Sequence, residues 1–202
     1  MSENCKRVLF GVTVLSALTI VASVSAIAAR GSTTRKAGDA LIRLGTVAHP
    51  ATAEDRVDHG TASWLQATDA AGESPQIGTH LIGDARRLGE LGSRAVYVVP
   101  TAMGRLCVVV SQLADSCSDP LTDARPITLA ILDIDGPGGV GPIAYGAAED
   151  GVKGVAFTVA GRSTHVLVHA NMFAFRGRSS DTADDFSALT ATFENGTTTV
   201  AH

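Results

Sequence analysis

Asp133, Asp135, His165 and His169 are the side chains in the second half of the chain best suited to moving protons. A carboxylate that orients an imidazole, which in turn takes a proton from water or a hydroxyl, is the core of many hydrolytic sites. Their spacing gives little support to a local site. Four residues apart on a strand, His165 and His169 stand roughly 13 Å from each other, too far to hold one metal ion. Asp133 and Asp135, one residue apart on a strand, point to opposite faces. The same pair begins a D-x-D-x-D-G calcium loop, but Pro137 and Gly138 offer no side-chain oxygen and no Glu closes the pattern. His49 and His59 have neither a neighbouring Cys nor a second His at helical spacing and read as solvated loop residues. Ser93 lacks the glycines of a G-x-S-x-G elbow, and no Ser-x-x-Lys or His-Glu-x-x-His occurs. No catalytic, metal-ligating or cofactor-binding residue is therefore assigned. An exported hydrolase assembled from Asp133, Asp135, His165 and His169 stands as the alternative to a noncatalytic module.

Gly136-Pro-Gly138-Gly-Val-Gly141 matches the dinucleotide fingerprint G-x-G-x-x-G after an apolar stretch. The fingerprint requires a helix starting within it, so that backbone N–H groups face a pyrophosphate. Here Pro142 follows, and Ile143 to Gly146 has no helical period. A net charge of −4 with no basic run after Arg43 leaves no electrostatic footprint for nucleic acid.

The compartment decides how the cysteines are read. From Val8 to Ala29 runs an uncharged apolar stretch of about 22 residues, enough for a helix to cross a bilayer core. Lys6 and Arg7 before it and Ala26-Ile-Ala28 at its end also suit a secretory signal peptide. An uncleaved anchor and a cleaved signal both export the chain, and the length of the stretch favours the anchor. Arg30, Arg35, Lys36 and Arg43 pull the other way under the positive-inside rule. Cys107 and Cys117 favour export, because exported cysteines commonly pair, and a disulfide between them is the expectation. Cys5 lies before the apolar stretch and stays out of that pairing.

These features give residues 1–30 as anchor or signal, 31–78 as a linker of marginal structure, and 79–202 as a β-rich outer domain. Within the linker, residues 39–44 could form one helical turn or a short strand, and Trp64-Leu65 could dock on the domain. Asp84 to Leu91 reads as a short helix capped by Asp84. Arg94 to Val99 and Arg105 to Val110 read as a hairpin, with Cys117 in the polar connection after it. Ile127 to Ile134 reads as a strand, Lys153 to Ala160 as a strand with Val155, Phe157 and Val159 inward, and Thr164 to Phe175 as its returning partner with a bulge near Asn171-Met172. Asn195-Gly196 between two β-forming runs marks a last hairpin. The expected fold is mainly β: an antiparallel sandwich or small open barrel with a short helix.

Gly104-Arg-Leu-Cys107-Val-Val-Val110 with Cys117, and Gly151-Val152 leading to Val166-Leu-Val168 and Asn171-Met-Phe173, resemble segments of a loose group of exported or membrane-anchored bacterial proteins with β-rich outer domains. The resemblance covers the chain from about Asp84 onward. It implies an extracytoplasmic β domain and brings no activity, cofactor or catalytic residue with it. The expected function is a noncatalytic envelope binding or structural module, held to the membrane through the first apolar stretch. Its expected partner is an envelope protein or wall polymer.

Overall fold

The structure is a computed structural model that describes residues 41–201, apart from 46, 48, 73, 74 and 134–140. The apolar stretch from Val8 to Ala29, Cys5, Asp135 and most of the glycine-rich loop lie outside the described residues. Among the described residues no helix is long and apolar enough to cross a membrane.

The chain builds three antiparallel sheets and no closed barrel among the described residues. The first holds β1 (Arg86–Leu91), β2 (Arg94–Pro100), β3 (Leu106–Val110) and β4 (Ala114–Ser118) in sequence order. The second holds β5 (Ala130–Leu132), β6 (Ile143–Ala147) and β9 (Met172–Arg176). The third places β7 (Val152–Val159) between β8 (Arg162–Leu167) and β10 (Phe186–Phe193), with β11 (Thr198–Ala201) beyond β10.

Alternation along the strands explains how these sheets stack. Val96, Val98, Leu106, Val108 and Val110 share one buried cluster with Tyr145, Ala147 and Met172, which joins the first sheet to the second. The intervening residues Ala144, Ala148 and Phe173 point the other way and pack with Val155, Phe157, Val159 and Ala191 of the third sheet. Thus β6 is buried on both faces, which accounts for its lack of charge. The outer face of the first sheet, with Tyr97, Val99, Cys107 and Val109, is covered by Leu65 and Trp64 of helix α1 (His59–Ala71). Gly146 makes possible the close packing of β6 against the segment before β5 and against the Phe173 side chain of the neighbouring β9. A Cβ there would lie 1.9 Å from the Thr128 carbonyl oxygen and 2.7 Å from the Phe173 ring.

Several sequence expectations need correction. Residues 84–91 are not a helix: a 3-10 turn spans Ile82–Asp84, and Arg86–Leu91 pairs with β2 through a tight turn in which Gly92 has φ 64°. A register shift between Arg87 and Gly89 obscures the alternation that would have revealed this strand. The helix lies earlier, inside the stretch read as linker. Asp58 caps α1 by accepting from the Thr61 N–H, and Gly72 ends it in the left-handed conformation at φ 66°. Leu41, Leu44 and Val47 from the same stretch also enter the core, and Leu65 docks as expected.

Cys117 lies in β4 rather than in a loop, directly opposite Cys107. Among the described residues of the strand read over 127–134, regular pairing covers Ala130–Leu132, with an isolated bridge between Ile127 and Ala148. The return from Thr164 to Phe175 is not one bulged strand. Ala170 and Asn171 both take positive φ, at 49° and 61°, and form a tight turn that sends β9 to pair with β6 instead of β7. That turn explains why Val166 and Phe173 fall on opposite parities yet join one cluster. The β2–β3 hairpin, the inward Val155, Phe157 and Val159, and the β10–β11 hairpin through Asn195-Gly196 are as expected.

Candidate functional site

A cleft of 810 Å³ opens where the end of β4, the approach to β5 and the third sheet meet. Its volume is that of a small-molecule site. The floor and walls are apolar: Ile127 and Leu129 on one side, Phe157, Phe186 and Leu189 on the other, with Val200 of the edge strand β11 at the rim. Phe157 and Phe186 lie 5.7 Å apart, and Phe175 meets Phe157 edge to face at 5.1 Å. This aromatic group holds the wall rigid without relying on long, flexible side chains.

Two arginines, Arg105 and Arg125, also line the cleft. Arg125 Nη1 donates to Asp119 Oδ2 at 2.8 Å, and Arg105 Nη2 lies 3.3 Å from Asp119 Oδ1. Two guanidinium groups therefore share one carboxylate and leave one positive charge unbalanced in this trio. The Arg125 backbone is fixed by a small turn in which Thr122 and Arg125 exchange hydrogen bonds, and Pro126 follows at once. Arg105 enters at the start of β3, where the Thr101 hydroxyl accepts from its N–H.

A second polar cluster lies on the α1 side of the first sheet. His80 has a buried side chain, 3% exposed, and its Nδ1 lies 2.7 Å from Asp69 Oδ1. Because a carboxylate only accepts, the Nδ1 proton points to Asp69 and leaves Nε2 facing β4. There Asp115 Oδ2 is at 3.6 Å and Cys117 Sγ at 3.8 Å. Burial works against a charged imidazole, but the Asp115 and Asp69 carboxylates outweigh it and hold the pKa of His80 above its ordinary 6.5. A pocket of 340 Å³ lined by Asp69, His80, Asp115 and Cys117 opens beside them. Cys107 and Cys117 form a disulfide, with Sγ atoms 1.98 Å apart.

Of the residues named for an alternative hydrolase, the described ones, Asp133, His165 and His169, line neither feature. His165 and His169 are both exposed and line a shallow groove of 640 Å³ with Glu90, Met172 and Phe175. Asp133 is exposed and does not line that groove, and Asp135 lies outside the described residues. His49 and His59 are exposed, with His49 Nδ1 2.8 Å from the Pro50 carbonyl oxygen.

Sequence reasoning missed Arg105, Arg125 and His80 for a common reason. Each meets its partner at a spacing that belongs to no motif: Asp119 is 6 residues from Arg125, Asp69 is 11 from His80, and Cys117 is 37 from His80. No fixed spacing announces such a site. No family model, curated protein or solved structure matches this chain.

Proposed function

We propose that the chain is a noncatalytic extracytoplasmic binding module, tethered to the membrane through residues 8–29, whose ligand is an amphipathic anion of the cell envelope. The observation that carries this reading is the cleft lined by the Arg105 and Arg125 guanidinium groups and by a Phe157–Phe186–Leu189 wall. An acidic group would replace or share Asp119 on Arg105 and Arg125, while an apolar body would lie on the wall. Displacing water from that wall supplies affinity, and the bidentate geometry of arginine supplies orientation. The sides of the cleft come from different sheets, so the folded domain positions the two halves before a ligand arrives.

The test uses 4-phenylbutanoate, a soluble anion with an aromatic body, and the full chain in lipid nanodiscs, followed by equilibrium dialysis. One saturable equivalent is expected, weakened at least tenfold by Arg125→Glu and absent for the neutral amide of the same body. Equal binding of acid and amide, or no saturable binding, would refute the reading.

A further inference from the structure

The cluster around His80 contains the donors of a closed zinc site in a fold state that the disulfide excludes. We propose that, once the Cys107–Cys117 bond is reduced, Cys107 Sγ, Cys117 Sγ, His80 Nε2 and Asp115 Oδ2 bind one zinc ion. Three of the donor pairs, those among His80 Nε2, Cys117 Sγ and Asp115 Oδ2, already stand close to the required spacing. Tetrahedral zinc with bonds of about 2.0–2.3 Å places its ligand atoms roughly 3.3–3.8 Å from one another. Here His80 Nε2 lies 3.8 Å from Cys117 Sγ and 3.6 Å from Asp115 Oδ2, and Cys117 Sγ lies 3.9 Å from Asp115 Oδ2. The ligand atoms of His80, Cys107 and Cys117 all fall within 4.8 Å of one another.

The surroundings fit as well as the spacing. A zinc-bound histidine characteristically donates its other ring N–H to a carboxylate, which fixes ring orientation and strengthens the metal bond. Asp69 accepts from His80 Nδ1 at 2.7 Å, and its second oxygen accepts from the His80 backbone N–H at 3.0 Å. Cys107 is fully buried and the His80 side chain nearly so, while Asp115 and Cys117 face the pocket, which gives a metal an entry path. Cys107 and Cys117 are paired across adjacent strands, and Asp115 is two residues from Cys117 on the same face of β4. The two sulfurs must move apart, and the Asp115 carboxylate, which lies outside the 4.8 Å group of His80, Cys107 and Cys117, must swing toward Cys107 to complete the set.

The chemistry balances with one external dithiol. It breaks the S–S bond by exchange, gives two electrons and two protons to form two cysteine thiols, and leaves as its own cyclic disulfide. Zinc then takes both thiolates and releases two protons. Oxidation and metal loading are thus mutually exclusive states of one cluster. The site is independent of the arginine cleft, because Cys117 faces α1 whereas Ser118, its neighbour in β4, lines the cleft.

Cobalt(II) tests the proposal directly, since thiolate coordination produces an intense ultraviolet charge-transfer band. The full chain in nanodiscs is titrated in two forms: air-oxidised, and reduced with a dithiol then freed of it by anaerobic gel filtration. The expected result is one equivalent of cobalt with a two-thiolate band in the reduced form only, displaced stoichiometrically by zinc. Asp69→Asn is expected to weaken zinc about 10–100-fold while keeping the band. A reduced chain that gives no thiolate band, or an oxidised chain that binds zinc as tightly, overturns the proposal. Amide exchange on the reduced, metal-free chain separates loss of fold from loss of site. A native exchange pattern with no cobalt band counts against the site, and recovery of a lost pattern on adding zinc supports it.

Discussion

Asp69, near the end of α1, holds His80 by both carboxylate oxygens, one on the ring Nδ1 at 2.7 Å and the other on the backbone N–H at 3.0 Å. The helix is thereby tied to the chain segment that bridges His80 to Thr101 beside the first sheet. An acidic residue in the last turn of a helix faces the negative end of the helix dipole, so a positive partner offsets an unfavourable placement. Because the pKa of His80 is raised above 6.5 in the fold, its charged form contributes stability that is fully present below the unfolded value and is lost as pH rises through the folded value. Thermal melts between pH 5.5 and 8.5 are expected to show falling stability over that window, with the slope flattened in His80→Gln. Asp69→Asn is expected to cost about 1.5–3 kcal/mol at pH 6, as for a lost hydrogen bond to a charged group.

Asp58 joins the start of α1 to the β3–β4 turn. It accepts from the Thr61 N–H at 2.9 Å, from the Thr61 hydroxyl at 2.6 Å and from the Ser111 hydroxyl at 2.7 Å. Desolvation raises its pKa, but these donors and Gln112 overcome it and bring the group down to about 2. Since this lies below the usual aspartate value, its contribution is present above the unfolded pKa and disappears as pH falls toward 2. Asp58→Ala should lower stability at pH 7 by about 1 kcal/mol, as for a lost helix cap, and the deficit should shrink on acidification. Urea titrations at pH 7 and pH 3 measure both parts.

Gly146 tests the packing of β6 against the segment before β5 and the Phe173 ring of β9. The clash of a Cβ with the Thr128 carbonyl is with backbone, so side-chain rotation cannot relieve it. Gly146→Ala should cost about 1–3 kcal/mol, whereas Gly161→Ala, where no atom lies within 4 Å but φ is 75°, should show only the smaller penalty of a left-handed residue. Equal losses would contradict a packing role for Gly146, whose φ is not positive.

The disulfide carries the claim of export. Closing its 10-residue separation should stabilise the fold by about 2–3 kcal/mol, read as the loss in Cys107→Ser. Alkylation of the chain extracted from cells without reductant should leave Cys107 and Cys117 unlabelled and label an unmodified Cys5. Full labelling of both would place the domain in a reducing compartment, as the basic residues after Ala29 would favour.

What could be read in the sequence was what depends on short range. Val155, Phe157 and Val159 announced their inward face by alternation, and Asn195-Gly196 announced its turn by chemistry. Arg86–Leu91 could not be read in this way, because a bulge breaks its period and pairing with β2 overrides the helical preference of Arg, Leu and Glu. The turn at Ala170-Asn171 was hidden too, since alanine rarely takes positive φ and gives no signal for it. The cleft was the least legible feature. Arg105 precedes β3 of the first sheet and Phe186 begins β10 of the third, and only the packing of the folded domain brings both to one cleft.

Hydrogen exchange with and without 4-phenylbutanoate, read by mass spectrometry on the full chain in nanodiscs, tests the binding reading most directly. Slower exchange is expected in the segments that line the cleft, around Arg105, residues 118–129, Phe157, residues 186–189 and Val200, and is abolished by Arg125→Glu. Slowing centred instead on the groove at His165 and His169, or no slowing anywhere at saturating probe, would contradict it.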